Sequence, residues 1–202
     1  EKQFKVVLKK EPEFFNAQGE SYQTFNIYTR VVQSDVMGPP KGGYRLYVNH
    51  QEKDQNTGGE RSVSDLMLNP LFVKAISKLQ SLQPDVEQVK KFIRLWIEGE
   101  AGGLAIEMAW KSAVLGIPLG GAKGVIYNGQ PRIGEKGTIF LNDTEPWNND
   151  ARNRAILFRD LVRVLQRAGN LGPNDVPAPD VQTTPTDMGI ATDELIFLTL
   201  DG

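Results

Sequence analysis

The 202 residues are 40% hydrophobic and 24% charged, a length and composition that accommodate one large globular domain with a substantial core. The net charge of −2 excludes a general attraction to nucleic acid or an anionic membrane, and no apolar run approaches a membrane span. With zero cysteines, disulfides and Cys-based metal or nucleophile sites are excluded, and the single histidine, His50, limits any metal site to one ligand of that type. A cytoplasmic location fits. The start at Glu1 rather than Met gives the expectation of a piece of a longer protein.

Residues 3–8 and 22–32 carry the alternating, β-branched and aromatic character of strands, with turn chemistry at 16–21 between them, and together read as an antiparallel pair. A Pro-Pro turn then leads through Lys41, Gly42 and Gly43 into a short strand over 44–48. The polar stretch around His50 reads as a solvated loop that continues over 51–60. Ser62 or Ser64 is placed to cap a helix through Leu79, with a break or restart at Pro70. Pro84 opens a second helix, whose Val86, Val89, Phe92, Ile93, Trp96 and Ile97 recur at three- and four-residue steps.

A third helix spans 104–115 with Leu104, Met108, Lys111 and Leu115 on one stripe. A lysine in such a stripe must snorkel, pair or meet a ligand, because burying it alone is costly. A glycine-flanked turn bearing Lys123 follows, then a strand through Val125, Ile126 and Tyr127. Beyond a Gly/Pro/Asn-rich stretch at 128–149, Asn149 or Asp150 caps a helix that ends near Gly169. Residues 176–179 read as a short strand ending in a stiff turn at Asp180, and 184–200 as a final helix. Helices alternating with strands after the first hairpin give an α/β fold, a layered α/β/α domain.

No G-x-G-x-x-G or phosphate-loop pattern is present, and no Asp/Glu/His set has metal-ligand spacing. What remains are Lys41, Lys111, Lys123 and Asp180, each in or near a glycine- or proline-marked turn. Lys123 leads, because without side chains at Gly120, Gly121 and Gly124 a small anion can approach its ammonium closely. If the fold gathers the lysines, their crowding lowers the pKa of an ammonium toward neutrality, where it serves as general base or nucleophile, and the cluster attracts a dianionic substrate.

Four segments in order, Pro40-Lys41-Gly42-Gly43-Tyr44-Arg45, Trp110-Lys111-Ser112-Ala113-Val114, Ile117-Pro118-Leu119-Gly120-Gly121-Ala122-Lys123-Gly124 and Asp175-Val176-Pro177-Ala178-Pro179-Asp180-Val181, resemble the signature of the substrate-binding, dimerisation domain of the glutamate dehydrogenase family (Glu/Leu/Phe/Val dehydrogenases). The resemblance touches most of the chain. It implies a mixed sheet and reversible oxidative deamination of an L-amino acid to a 2-oxo acid and ammonia, with NAD or NADP held mainly by a domain outside this chain.

It further implies that Lys123 activates the attacking water, that Asp180 shuttles protons to and from the amino group, and that Lys111 holds the α-carboxylate. Lys41 meets the distal carboxylate, which favours glutamate, and Gly42, Gly43, Gly120 and Gly121 line the cleft. The expected partners are a small amino acid or 2-oxo acid and further copies of the chain, with no nucleic acid and no membrane. Residues 1–202 are then one substrate domain with a helical insertion at about 51–100 and added length at 128–149. That insertion accounts for the seventy residues between Lys41 and Lys111, longer than the family's usual interval. Gln182 stands where the family has glycine. The alternatives are a non-catalytic regulatory or assembly paralogue and a dehydrogenase for another amino acid.

Overall fold

The structure, a computed structural model, describes residues 13–15, 18–34, 38–47, 49–53, 60–141, 150–172 and 175–200. In chain order the strands are β1 (Glu13–Phe15), β2 (Ser21–Gln23), β3 (Phe25–Ser34), β4 (Pro40–Tyr47), β5 (Asn49–Lys53) and β6 (Glu60–Ser64). After a 3-10 turn at Asp65–Leu68 come helices α1 (Pro70–Gln80) and α2 (Val86–Val114). Then follow β7 (Gly120–Gly129), β8 (Arg132–Ile133), β9 (Ile139–Phe140), α3 (Ala151–Arg167), β10 (Val176–Pro179) and α4 (Pro185–Leu200).

The central sheet has the order β10-β4-β7-β3, with β4 parallel to both β10 and β7 and β3 antiparallel to β7. It is therefore mixed. On one face Tyr28, Tyr44, Leu46 and Ile126 pack against Leu157, Phe158, Leu161 and Val162 of α3 and Met188, Ala191 and Leu195 of α4. On the other, Ile27, Val31, Val125 and Tyr127 pack against Val89, Ile93, Ile97, Ala101 and Ala105 of α2 and Phe72 and Ile76 of α1. The three layers are those the alternation of elements predicts, and burying both faces of the sheet explains why β7 is buried throughout.

Several local expectations change. Residues 3–8 lie outside the described residues, so their expected pairing is not described, and 22–32 divide between β2 and β3, with β2 pairing to β1. The polar stretch read as a loop forms the hairpin β5–β6 where it is described, because backbone pairing from Asn49↔Ser64 to Lys53↔Glu60 satisfies main-chain groups whatever the side chains are. Ser64 makes no side-chain cap, and Asn69 instead accepts from the Leu71 and Phe72 amides at the start of α1.

The expected second and third helices are one 29-residue helix, α2. Its start is a reciprocal cap: Gln88 N donates to Asp85 Oδ1 at 2.7 Å and Asp85 N to Gln88 Oε1 at 2.8 Å. Gly99, Gly102 and Gly103 argue for a break, each costing about 1 kcal/mol relative to alanine. The buried stripe Val89, Ile93, Ile97, Ala101, Ala105 runs past them at steps of four, and packing outweighs propensity. Bulky residues give way to alanines along that stripe, so the helix closes on the sheet. A Cβ at Gly121 would lie 2.5 Å from the Ala105 carbonyl oxygen and 2.5 Å from the Ala109 nitrogen.

A Cβ added at Gly99 or Gly103 meets nothing within 4 Å. Gly99→Ala and Gly103→Ala are each expected to stabilise the protein by about 1 kcal/mol and to raise Tm by about 2–4 °C in thermal unfolding. An unchanged or lower Tm would show that α2 needs glycine flexibility there.

Candidate active site

Lys123 sits on the α2 face of β7, in alternation with Gly121, Val125 and Tyr127, and is 6% exposed. Asp180 follows directly on β10, two strands away. Its Oδ2 lies 2.5 Å from Lys123 Nζ, an ion pair that spans β4. The registers Lys41↔Gly121 and Tyr44↔Gly124 place Gly43 level with Lys123. A Cβ at Gly43 would stand 3.0 Å from Asp180 Cβ and 3.0 Å from the Pro179 carbonyl oxygen. The missing side chain opens the path by which the lysine reaches the carboxylate.

The turn carrying Asp180 is stitched to β4. The Asp180 amide donates to Thr183 Oγ1 at 2.7 Å, that hydroxyl donates to the Tyr44 carbonyl at 2.7 Å, and Leu46 N donates to the Val181 carbonyl at 3.1 Å. The approach to β10 is fixed by buried Arg30, which pairs with Asp175 at 2.5 Å and donates to the Asn170 carbonyl at 2.7 Å. Beyond the turn, Thr184 caps α4 ahead of Pro185 while Asp187 accepts from the Thr184 amide at 2.7 Å.

Residues outside the expected set complete the cluster. Arg45 Nε lies 3.3 Å from Asp180 Oδ2, and Arg45 Nη1 lies 2.8 Å from Glu100 Oε1 on α2. Tyr47 donates its hydroxyl to the same Glu100 oxygen. Arg45 and Tyr47 are legible as the next positions after Gly43 on one face of a period-2 strand, and Glu100 follows Ile93 and Ile97 at helical spacing. Burial works to raise the Asp180 pKa, but the hydrogen bond and charge of Lys123, with Arg45 adding to them, outweigh it and hold the carboxyl below its ordinary value. Burial likewise pushes the Tyr47 hydroxyl up, and its bond to Glu100 adds to that.

Lys41 and Lys111 are both exposed, and among the described residues neither pairs with Asp180. The register sets Lys41 level with Gly121, two residues before Lys123, while the partners of Lys123 are Asp180 and, through it, Arg45. The stripe of Leu104, Met108, Lys111 and Leu115 is not the buried one, because close contact with Gly121 requires the alanine side of α2 to face the sheet. Lys111 instead lines an apolar surface groove of about 440 Å³ with Glu107, Trp110, Val114 and Leu115, which neither Lys123 nor Asp180 lines.

The glycines have separate uses. Gly42 lets β4 approach β7, since a Cβ there would stand 1.6 Å from the Ala122 carbonyl oxygen, and Gly121 admits α2. Gly120 is buried, and its amide donates to the Pro39 carbonyl at 3.1 Å. Gln182 has φ 60, the left-handed region where an L-residue costs about 1–2 kcal/mol and glycine costs little. Its carbonyl accepts from Arg154 at 3.0 Å, which holds the turn in place despite the strain.

Among the described residues, no group of three metal-ligating side chains gathers, and no helix is long and apolar enough to cross a membrane. The strand-to-helix turn from β10 to α4, Asp180-Val181-Gln182-Thr183-Thr184, contains no glycine and offers no cradle for a dinucleotide pyrophosphate.

The fold is a three-layer α/β domain whose mixed sheet carries a buried lysine paired to a carboxylate at a strand end. The family model described as Glu/Leu/Phe/Val dehydrogenase, dimerisation domain, matches residues 90–196, and the chain belongs to that family. The matched stretch holds Lys111, Lys123 and Asp180 and leaves Lys41 outside. Solved structures similar to the chain include a hetero-hexameric glutamate dehydrogenase from Thermus thermophilus in a leucine-bound form, at 20% identity and TM-score 0.53, covering 98% of this chain and 31% of that one. Another is glutamate dehydrogenase from Peptoniphilus asaccharolyticus, at 22% identity and TM-score 0.51, covering 98% and 33%. At these identities the likeness is one of fold. The chain spans about a third of the length of these glutamate dehydrogenases. No curated protein matches the chain in sequence.

Two outcomes follow from this geometry. A carboxyl with a lowered folded-state pKa stabilises the protein fully above its unfolded value, about 3.9, and loses that contribution as pH falls through the folded value. Asp180→Asn is therefore expected to flatten the acid side of a stability-versus-pH curve below about pH 4, leaving the share that belongs to Asp187, whose pKa is also lowered. A slope identical to the parent's would contradict the pairing. Gln182→Gly is expected to gain up to about 1 kcal/mol, read as a higher midpoint in denaturant unfolding, and a lower midpoint would show that the left-handed residue is not strained.

Proposed function

We propose that this chain is the substrate-binding, catalytic-lysine domain of an amino-acid dehydrogenase that carries out the reversible oxidative deamination of L-glutamate to 2-oxoglutarate and ammonia. The observation that carries the reading is the ion pair of buried Lys123 with Asp180 across Gly43. Lys123 would activate the water that attacks the substrate's α-carbon at the imine stage, and Asp180 would carry protons to and from the amino group. The 2.5 Å contact lets the two groups exchange a proton without rearrangement. Asp180, with its side chain 24% exposed, keeps an open side toward a substrate while the lysine beneath it stays dry.

Lys111 and Lys41 are the proposed holders of the α- and distal carboxylates, and a lysine at position 41 favours glutamate over an apolar amino acid. Both are exposed, as an anion-capturing group needs to be before its ligand arrives. NAD or NADP, which supplies the hydride acceptor, would be held by another domain, with this chain responsible for carboxylate binding and proton handling. Assembly as a homo-oligomer is proposed from the family's dimerisation domain, with a small amino acid or 2-oxo acid as the other partner.

A non-catalytic regulatory or assembly paralogue is the second reading, favoured by one observation: strained Gln182 lies two residues past Asp180, in the turn that must hold the carboxylate. An intact protein that binds glutamate and turns over neither cofactor would support it. The deciding experiment follows nicotinamide absorbance with glutamate and other amino acids, using the whole protein that carries this chain. Lys123→Ala is expected to lower kcat by roughly 10²–10⁴-fold. Equal rates would remove Lys123 from the mechanism.

A further inference from the structure

Glu100 occupies a position the amino-acid dehydrogenase reading leaves without a role. It lies on α2, outside the four segments that carry the family resemblance, with its side chain only 16% exposed. One oxygen, Oε1, receives both Arg45 Nη1 at 2.8 Å and the Tyr47 hydroxyl, while Oε2 is buried and has no hydrogen-bond partner among the described residues. Burying a carboxylate with half its acceptor capacity unmet is costly, and an uncharged side chain could line this helix face more cheaply. The charge therefore has a use at the guanidinium it meets. Arg45 is shared, with Nη1 on Glu100 and Nε on Asp180.

We propose that Glu100 is a positioning residue, a buried counter-charge that orients the Arg45 guanidinium and offsets its charge where it faces Asp180. Among the described residues two cations, Lys123 from β7 and Arg45 from β4, pair with the single Asp180 carboxylate, and the Thr183 hydroxyl from the turn to α4 meets the Asp180 backbone amide and carbonyl rather than the carboxylate. Two uncompensated positive charges would make Asp180 too weak a base to accept a proton from a substrate amine. Glu100 brings the local sum, Lys123 and Arg45 against Asp180 and Glu100, to zero, and Tyr47 fixes the oxygen that does so. This rests on the proposed reaction for its purpose, while the charge balance itself is a property of the four side chains.

Glu100→Gln removes the charge and keeps the shape. In the whole protein, a carbon-13 carboxyl NMR titration is expected to show Asp180 titrating at lower pH than in the parent. Tyr47→Phe leaves the full Glu100 charge on Arg45 and is expected to move Asp180 the opposite way. If one variant fails to fold, the other decides. Asp180 titrating at the parent pH in the folded variants would overturn the proposal, whatever happens to stability. Where the parent turns over, the acid limb of kcat/KM in Glu100→Gln is expected to move to lower pH with roughly a tenfold loss in kcat and little change in KM. The Arg45→Gln/Glu100→Gln pair should return the limb toward the parent position. An NMR shift in a parent without turnover would reject the dehydrogenase reading and keep the charge balance.

Discussion

The contact of Lys123 with Asp180 is the constraint around which the rest of the sheet is arranged. A buried ammonium carries a large desolvation cost, recovered only if a carboxylate of good geometry meets it. That carboxylate arrives from the end of β10, and the strand between the two must not obstruct them. Gly43 supplies the gap. β4 runs parallel to both neighbours, and Gly43 falls level with Lys123 on one side and with Ala178, next to last in β10, on the other.

Holding Asp180 in place requires more than the lysine. Arg30 and Asp175 anchor the loop before β10, Thr183 joins the turn to the Tyr44 carbonyl, and Arg154 links α3 to both Asp187 and the Gln182 carbonyl. Each of these is a polar group satisfied inside the fold rather than in water. Removing Asp180 would leave the buried Lys123 ammonium uncompensated and cost about 3 kcal/mol, the lower end of the range for buried pairs, whereas removing Lys123 leaves Asp180 its contact with Arg45.

Much of this was legible in the sequence. The proline-stiffened strand leading to Asp180, the Asp150 cap of α3 and the last helix appear as read, because local chemistry decides them, whereas Lys123, read on a glycine-flanked turn, lies within β7, where ladder pairing with β3 and β4 carries the glycines into the strand. The continuity of α2 was not, since three glycines oppose it and only contact with the sheet overrides them. The hairpin over polar residues escaped for the same kind of reason, its pairing being a main-chain matter. The pairing of Arg45 with Glu100 stayed hidden because they lie 55 residues apart and it depends on the angle at which α2 crosses β4. Lys41 and Lys111 were readable as lysines at turns and helix ends, but whether they join a ligand to Lys123 is a question about a bound state.

An experimental structure of the protein, determined by crystallography or cryo-electron microscopy, is predicted to show Lys123 Nζ in hydrogen-bond contact, about 3 Å, with the Asp180 carboxylate above an unsubstituted Gly43. An amine at 123 pointing into bulk solvent, or a carboxylate at 180 turned to the α3 face of the sheet, would contradict it.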